Sequence, residues 1–247
     1  MNFKNDRQRR AVFANVFSKP DYNQGTWQKK IAGVPKYKID EYYREKWSML
    51  EPQLKGRNIL VRYEHGGEQV VRRHPPGKGS YTTINDVDEL SEIVREHGVE
   101  LWPETSKKGN LGKADMLVID VDNLGGVSEN KMKDATKAVY DKMKDVYGGN
   151  PYIVSTHGGY HVVDVLDAPE SYKKLRKEVD RDIIKPLEDE VSYISGRYKD
   201  ADVWLDKTPI KAHGSTKAYG SLNLPDLSIS KKLSIYDIDD YKREYLA

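Results

Sequence analysis

The chain has 247 residues, 41 Lys and Arg against 39 Asp and Glu, and no cysteine. The length suits one large domain, or a core with a small accessory piece; the missing thiols exclude disulfides, Cys-ligated zinc, iron–sulfur clusters and thiol nucleophiles. The near-neutral total hides a split: residues 1–80 hold 17 basic and 8 acidic side chains, net +9, and the remaining 167 hold 24 and 31, net −7. A basic front suits a polyanion such as nucleic acid and an acidic back suits metal-binding carboxylates, although solvated helix faces give similar counts.

In chain order, 6–17 reads as a short basic helix and 18–38, rich in Gly, Pro, Lys and Asn, as a loop or arm. Residues 39–50 form a helix with Ile39, Tyr43, Trp47 and Leu50 on one face. A hairpin follows over 58–63 and 69–74 around Gly66-Gly67, and then a loop of Pro75, Pro76, Gly77 and Gly79. Residues 86–97 are predicted helical with Gly98 as C-cap, 99–102 a short strand, and 116–121 a buried strand. Ser128 caps a long helix to about Val146, ended by Gly148-Gly149. Strands at 152–155 and 160–166 flank Thr156-His157-Gly158-Gly159. Pro169 is expected to open a helix to about Ile194, broken at Pro186, before a last strand at 203–205. This mixed order predicts an α+β fold rather than a doubly wound sheet.

Three segments carry chemistry. In Met116-Leu-Val-Ile-Asp120-Val-Asp122, residues two apart in a strand share a face, so two carboxylates lie side by side. Such a pair is costly without a cation, and Mg²⁺ or Mn²⁺ with oxygen ligands is the natural one; a strand running out into a solvated turn is the plainer alternative. In Ser155-Thr-His157-Gly-Gly-Tyr-His161, Gly158 and Gly159 allow close backbone approach and free N–H groups for phosphate oxygens, while Ser155, His157 and His161 can donate to a triphosphate. An ordinary tight turn with two surface histidines would look the same. A zinc pair is disfavoured, because the two glycines break the helical spacing of paired ligands. In Asp200-Ala-Asp202-Val-Trp-Leu-Asp206, followed by Lys211, His213, Ser215, Lys217 and Ser221, a further carboxylate precedes a Lys/Ser loop suited to phosphates or simply to water.

The order of these segments resembles the archaeo-eukaryotic primase superfamily: small catalytic primase subunits, primase-polymerases and the polymerase domain of prokaryotic end-joining ligases. The resemblance spans roughly residues 56–224 and implies a catalytic domain over 56–247 behind a basic helical region at 1–55, the two forming separate units or one. It implies that Asp120, Asp122 and a third carboxylate, which falls best on Asp206 with Asp202 as the competitor, are catalytic and hold two divalent ions. It also implies nucleotide binding by Arg73, His74, Ser155, His157, Gly158, Gly159, His161, Lys217 and Ser221, with Lys217-Ala-Tyr-Gly220-Ser221-Leu-Asn223 matching a later family motif. Thr156 stands where that family carries glycine, Asn223 where primases often carry histidine, and Trp102 near a histidine of the end-joining branch.

The implied activity is template-directed nucleotidyl transfer with pyrophosphate release. Its alternatives are gap filling at broken ends, a catalytically silent accessory subunit, or a metal-dependent nuclease. The expected cofactor is Mg²⁺ or Mn²⁺, without zinc; the expected partners are single-stranded or primed DNA, NTP or dNTP substrates, and a large primase subunit or replication helicase. No apolar run reaches membrane-spanning length and the opening MNFKNDRQRR is no secretion signal, so no membrane partner and a cytoplasmic, nucleoid-associated place are expected. The aromatics Tyr22, Trp27, Tyr37, Tyr42, Tyr43 and Trp47 are candidates for stacking on bases, with packing of a small helical cap as the stronger reading for most of them.

Overall fold

The computed structural model describes residues 29–65, 68–72, 81–110 and 112–246. The predicted helix at 6–17, the glycine turn, the Pro75–Gly79 loop, Arg73, His74, Tyr22 and Trp27 lie outside them. A small hairpin, β1 (Lys30–Ile31) and β2 (Val34–Pro35), leads directly into helix α1, Lys36–Leu54. The helix therefore begins within the expected arm. Ile39, Tyr42, Tyr43, Leu50 and Leu54 of α1 are buried together with strand β3 (Ile59–His65), helix α2 (Val87–Arg95) and strand β5 (Gly98–Pro103). Tyr37 and Trp47 pack against the same core, so the four stacking candidates among the described residues pack rather than stand free.

Strand β4 (Glu68–Arg72) pairs with β3, and β3 with β5, giving an antiparallel three-stranded sheet in the order β4-β3-β5. Asp86 caps α2, its carboxylate accepting from the N–H groups of Asp88 and Glu89. Gly98 is not the C-cap of this helix. The left-handed residue is His97, with φ of 66°, and Gly98 starts β5, where a Cβ would lie 2.3 Å from Ile93 Cγ2. Glycine is needed there for close helix–strand approach.

The second layer is a six-stranded sheet ordered β13-β7-β8-β6-β10-β9. Its members are β6 (Lys113–Asn123), β7 (Tyr152–Ser155), β8 (Gly159–Ser171), β9 (Ile194–Ser195), β10 (Val203–Asp206) and β13 (Lys232–Leu233). All neighbours are antiparallel except β9 and β10. Helix α3 (Glu129–Tyr147) connects β6 to β7, capped by Ser128 and ended by Gly148 at φ of 67°. Met132, Ala135, Val139 and Met143 of α3 pack on Leu117, Ile119 and Val121, the odd-numbered side of β6. The even-numbered side, Met116 and Val118, packs with Val154 and Val163 instead. Asp120 and Asp122 continue that even side.

Pro169 does not open a helix. Strand β8 runs on to Ser171, with Glu170 opposite Ala114 and Ser171 opposite Lys113. Residues 166–169 form an excursion opposite Asp115, where the register shifts; a proline tolerates that place because no ladder hydrogen bond is asked of it. The helix starts later, as α4 (Tyr172–Val179), passes through a π-helical turn (Asp180–Ile184) and continues as α5, Lys185–Glu190. Pro186 comes just after the π-helical turn, so the break expected at this proline is a local change of helical winding rather than an end of the helix.

After β10 the chain returns to the first core, burying Ala218, Leu222, Leu224 and Leu227 there. Strands β11 (Leu222–Asn223) and β12 (Ser228–Ile229) form a small ladder in this return. Arg57 and Asp115 also join the layers through a two-pronged pair at 2.7 and 2.6 Å. Among the described residues no helix is long and apolar enough to cross a membrane.

Candidate active site

The site is set by strand register. Asp206 of β10 stands opposite Asp120 of β6, and Asp120 opposite His161 of β8. Directly opposed residues of antiparallel strands leave the sheet on one side, so Asp206, Asp120 and His161 form a row, with Asp122 two residues along β6. Asp202, the other candidate for the third carboxylate, lies before β10 and is exposed. Its carbonyl accepts from the N–H groups of Leu124 and Gly125, and its side chain lies where a Cβ on Gly125 would come, 2.3 Å from Oδ1. The register thus puts Asp206 in the row and leaves Asp202 outside it.

The row is short of positive charge. Burial, then repulsion by Asp120, pushes the Asp122 carboxyl up to about 7; Asp206 adds to the rise and His161 opposes it. Asp120 Oδ1 is buried with no hydrogen-bond partner among the described residues. Asp206 Oδ1 accepts from the Thr208 N–H at 2.7 Å. An orphaned buried oxygen beside a carboxyl that resists ionisation is what a hard divalent cation would relieve, so the donor set fits such an ion. As they stand, no three His, Asp or Glu side chains among the described residues are gathered closely enough to chelate one.

His161 is 1 % exposed and its orientation is fixed from behind. The Lys217 backbone N–H, which can only donate, points to Nδ1 at 3.2 Å, and the Thr216 hydroxyl lies 2.9 Å from the same nitrogen. In the neutral ring the proton therefore sits on Nε2. That nitrogen faces Asp120 Oδ2 at 3.4 Å, without hydrogen-bond geometry.

The turn from β7 to β8 reaches the carboxylates. A Cβ on Gly158 would come 3.8 Å from Asp122 Oδ1, and one on Gly159 would lie 2.0 Å from the Val121 carbonyl oxygen. Only glycine allows strand contact that close. Thr156, the departure from the family pattern, closes the turn: its hydroxyl accepts from the Gly159 N–H at 3.1 Å. The exposed side chain of His157 pairs with Asp226 at 3.2 Å.

Several expected nucleotide contacts are engaged inside the fold. The Ser155 hydroxyl accepts from the Lys231 N–H at 2.8 Å and the Tyr241 hydroxyl at 2.9 Å. Ser221 is fully buried, accepting from the Leu101 N–H and donating to the Leu222 carbonyl. Lys217 is also buried, its Nζ 3.2 Å from Glu100 Oε2 and 5.0 Å from the Trp102 ring. Burial lowers its pKa to about 8, against the opposing pull of Glu100. The structure thus gathers Asp120, Asp122, Asp206, His161, Gly158 and Gly159, and sets the polar atoms of Ser155, Lys217 and Ser221 into the protein interior.

Sequence reasoning passed over the hub behind His161. Glu100, 1 % exposed, accepts from Trp102 Nε1 at 2.9 Å and from the Leu224 N–H, and pairs with Arg62 at 3.3 Å as well as with Lys217. Trp102 in turn lies against His161, ring centroids 5.5 Å apart. An acid at the middle of the apolar stretch Val99–Trp102 was the available signal, since an unpaired charge is not tolerated there. Arg243 was also missed; its guanidinium donates to the His157 carbonyl at 2.8 Å, and it lines a small polar cleft with Asn123, Glu129, Thr156 and Gly158. Nothing in the charged tail around it marked it out.

The chain thus lays a three-stranded sheet with its helices against a larger mixed sheet whose central strands carry the acidic row. The chain has the fold of the polymerase domain of Mycobacterium tuberculosis Ligase D, solved in complex with DNA, with a TM-score of 0.77 over 89 % of this chain and 90 % of that one, at 19 % sequence identity. The α+β fold expected from the motifs is thereby met. No protein family and no curated protein matches the sequence.

Proposed function

We propose that the protein is a template-directed nucleotidyltransferase, a DNA primase or primase-polymerase. The observation that carries this reading is the row Asp206–Asp120–His161 with Asp122 beside it, on a fold shared with a polymerase domain. Asp120, Asp122 and Asp206 would hold the metal. When bound, two divalent ions would lower the pKa of the attacking 3′-hydroxyl and stabilise the leaving pyrophosphate.

The chain's own groups then orient and neutralise. The Gly158 backbone N–H, the Nε2–H of His161, and the side chains of Arg62 and Arg243 are the donors offered to phosphate oxygens, the Gly159 N–H being taken by the Thr156 hydroxyl. Little covalent chemistry is left to the protein, so placement and charge dominate.

Asp120→Ala with Asp122→Ala tests this. Incorporation of nucleotide on a primed or single-stranded template should fall by a factor on the order of 10³ or more, since metal stabilisation of the transition state is worth several kcal/mol. Incorporation that survives the double change would end the assignment. Strand degradation without added nucleotide would instead favour a nuclease.

A second reading, gap filling at broken ends, is favoured by the fold match to a polymerase domain from a ligase. Primer-independent product on single-stranded template separates the two: priming yields it, whereas a gap filler extends only 5′-phosphorylated, gapped duplexes.

A further inference from the structure

Trp204 of β10 stands opposite Asp122 of β6, so its ring leaves the sheet on the side of the acidic row. Its other neighbour is Ser195 of β9, the outermost strand of the sheet. Trp204 is therefore at the rim of the proposed catalytic face, between the carboxylates and the sheet edge. The short helical turn Tyr198–Asp200 brings Tyr198 edge-on to it, ring centroids 5.1 Å apart and planes at 86°.

Neither ring belongs to a hydrophobic core of the described residues. Trp204 is half-buried and Tyr198 is 61 % exposed. Two large aromatic rings held together in water at this place do little for folding. Their planes meet at nearly a right angle, so a flat ligand lying on one presents its edge to the other. Arg197 and Lys199, on either side of Tyr198, are both exposed; one exposed acid, Asp202, lies between this turn and β10. Flat rings flanked by cations suit a chain that alternates bases with phosphates. A protein partner would have no need of the adjoining acidic row.

We propose that Tyr198 and Trp204 form a base-stacking platform for a single-stranded stretch of nucleic acid, with Arg197 and Lys199 meeting its phosphates. The proposal rests on the nucleotidyltransferase reading and adds the element that holds the strand beside the carboxylates. Stacking of this kind is sequence-tolerant, because every base has a flat face.

The test compares oligothymidylate with an abasic strand of the same length, in equilibrium binding to the full chain and to Tyr198→Ala, Trp204→Ala and Trp204→Phe. The wild-type protein should bind oligothymidylate more tightly than the abasic strand. Each alanine variant should weaken oligothymidylate by about tenfold, the range expected for one lost stacking contact, and leave the abasic strand unchanged. Trp204→Phe should retain most of the affinity. Because Tyr198 is exposed, its truncation leaves the core intact, and a thermal melt checks this. Equal losses on both strands, or unchanged oligothymidylate affinity in both alanine variants, would overturn the platform. If wild type binds and incorporates nucleotide while the alanine variants match it, the platform alone fails. If wild type neither binds strands nor incorporates nucleotide, the nucleotidyltransferase reading falls with it.

Discussion

Asp122 shows how a single carboxyl can report on the site. Its pKa in the folded protein is raised to about 7, first by burial and then by Asp120, against about 3.9 in an unfolded chain. The folded form thus holds its proton to higher pH than the unfolded one. Between those two values the contribution of this group to stability falls as pH rises, and it stays lost above the upper value. Two consequences can be measured by thermal melts. At pH 8 without divalent metal, Asp122→Asn should melt a few degrees above wild type, and the gap should close near pH 4. Adding Mg²⁺ or Mn²⁺ at pH 8 should raise the wild-type midpoint and leave Asp122→Asn less affected, since ligand binding to the native state stabilises it.

Strand pairing sets the placement of these groups, and Gly159 is where it is tightest. A methyl on Gly159 would meet the Val121 carbonyl at 2.0 Å, so backbone has to move. Gly159→Ala should destabilise by about 1–3 kcal/mol in urea titration, the usual cost of overpacking. It should also reduce nucleotide incorporation, because Gly159 is the partner of Asp122. Much of this was legible in advance. The alternation of Met116–Asp122 named the acidic face, the Gly158-Gly159 pair named the turn, and Ser128 and Gly148 named both ends of α3. What escaped were features that depend on partners far along the chain. Pro169 looked like a helix start because the strand excursion that accommodates it is created by pairing with Ala114. Ser155, Lys217 and Ser221 looked like phosphate ligands because nothing local reveals that Tyr241, Glu100 and Leu101 take up their polar atoms. Asp206 was the better candidate from the motif order, and the register adds that it stands opposite Asp120 while Asp202 does not.

At the scale of the whole molecule, Glu100 ties one layer to the other. It belongs to the three-stranded sheet, yet holds Lys217 and the Leu224 N–H of the returning segment, and fixes Trp102 against His161. Removing one partner of a buried ion pair is more damaging than the pair is stabilising, since the remaining charge is left desolvated. Glu100→Ala should therefore cost about 3–5 kcal/mol in denaturant unfolding. The companion change Lys217→Met, made in the same background, should recover part of that loss. No recovery would mean that Lys217 is not the charge left stranded.

The excursion at residues 166–169 gives this architecture a place to change length. Register between β6 and β8 is interrupted there, and from Met116 to Asp122 it runs without a break. A residue gained or lost inside the uninterrupted stretch would invert odd and even, turning Asp120 and Asp122 toward α3 and hydrophobic residues toward solvent. A residue gained or lost within the excursion leaves that parity untouched. Insertions and deletions among divergent relatives can therefore gather at 166–169 while the spacing from Met116 to Asp122 is held fixed, and an added loop or tag is best placed there.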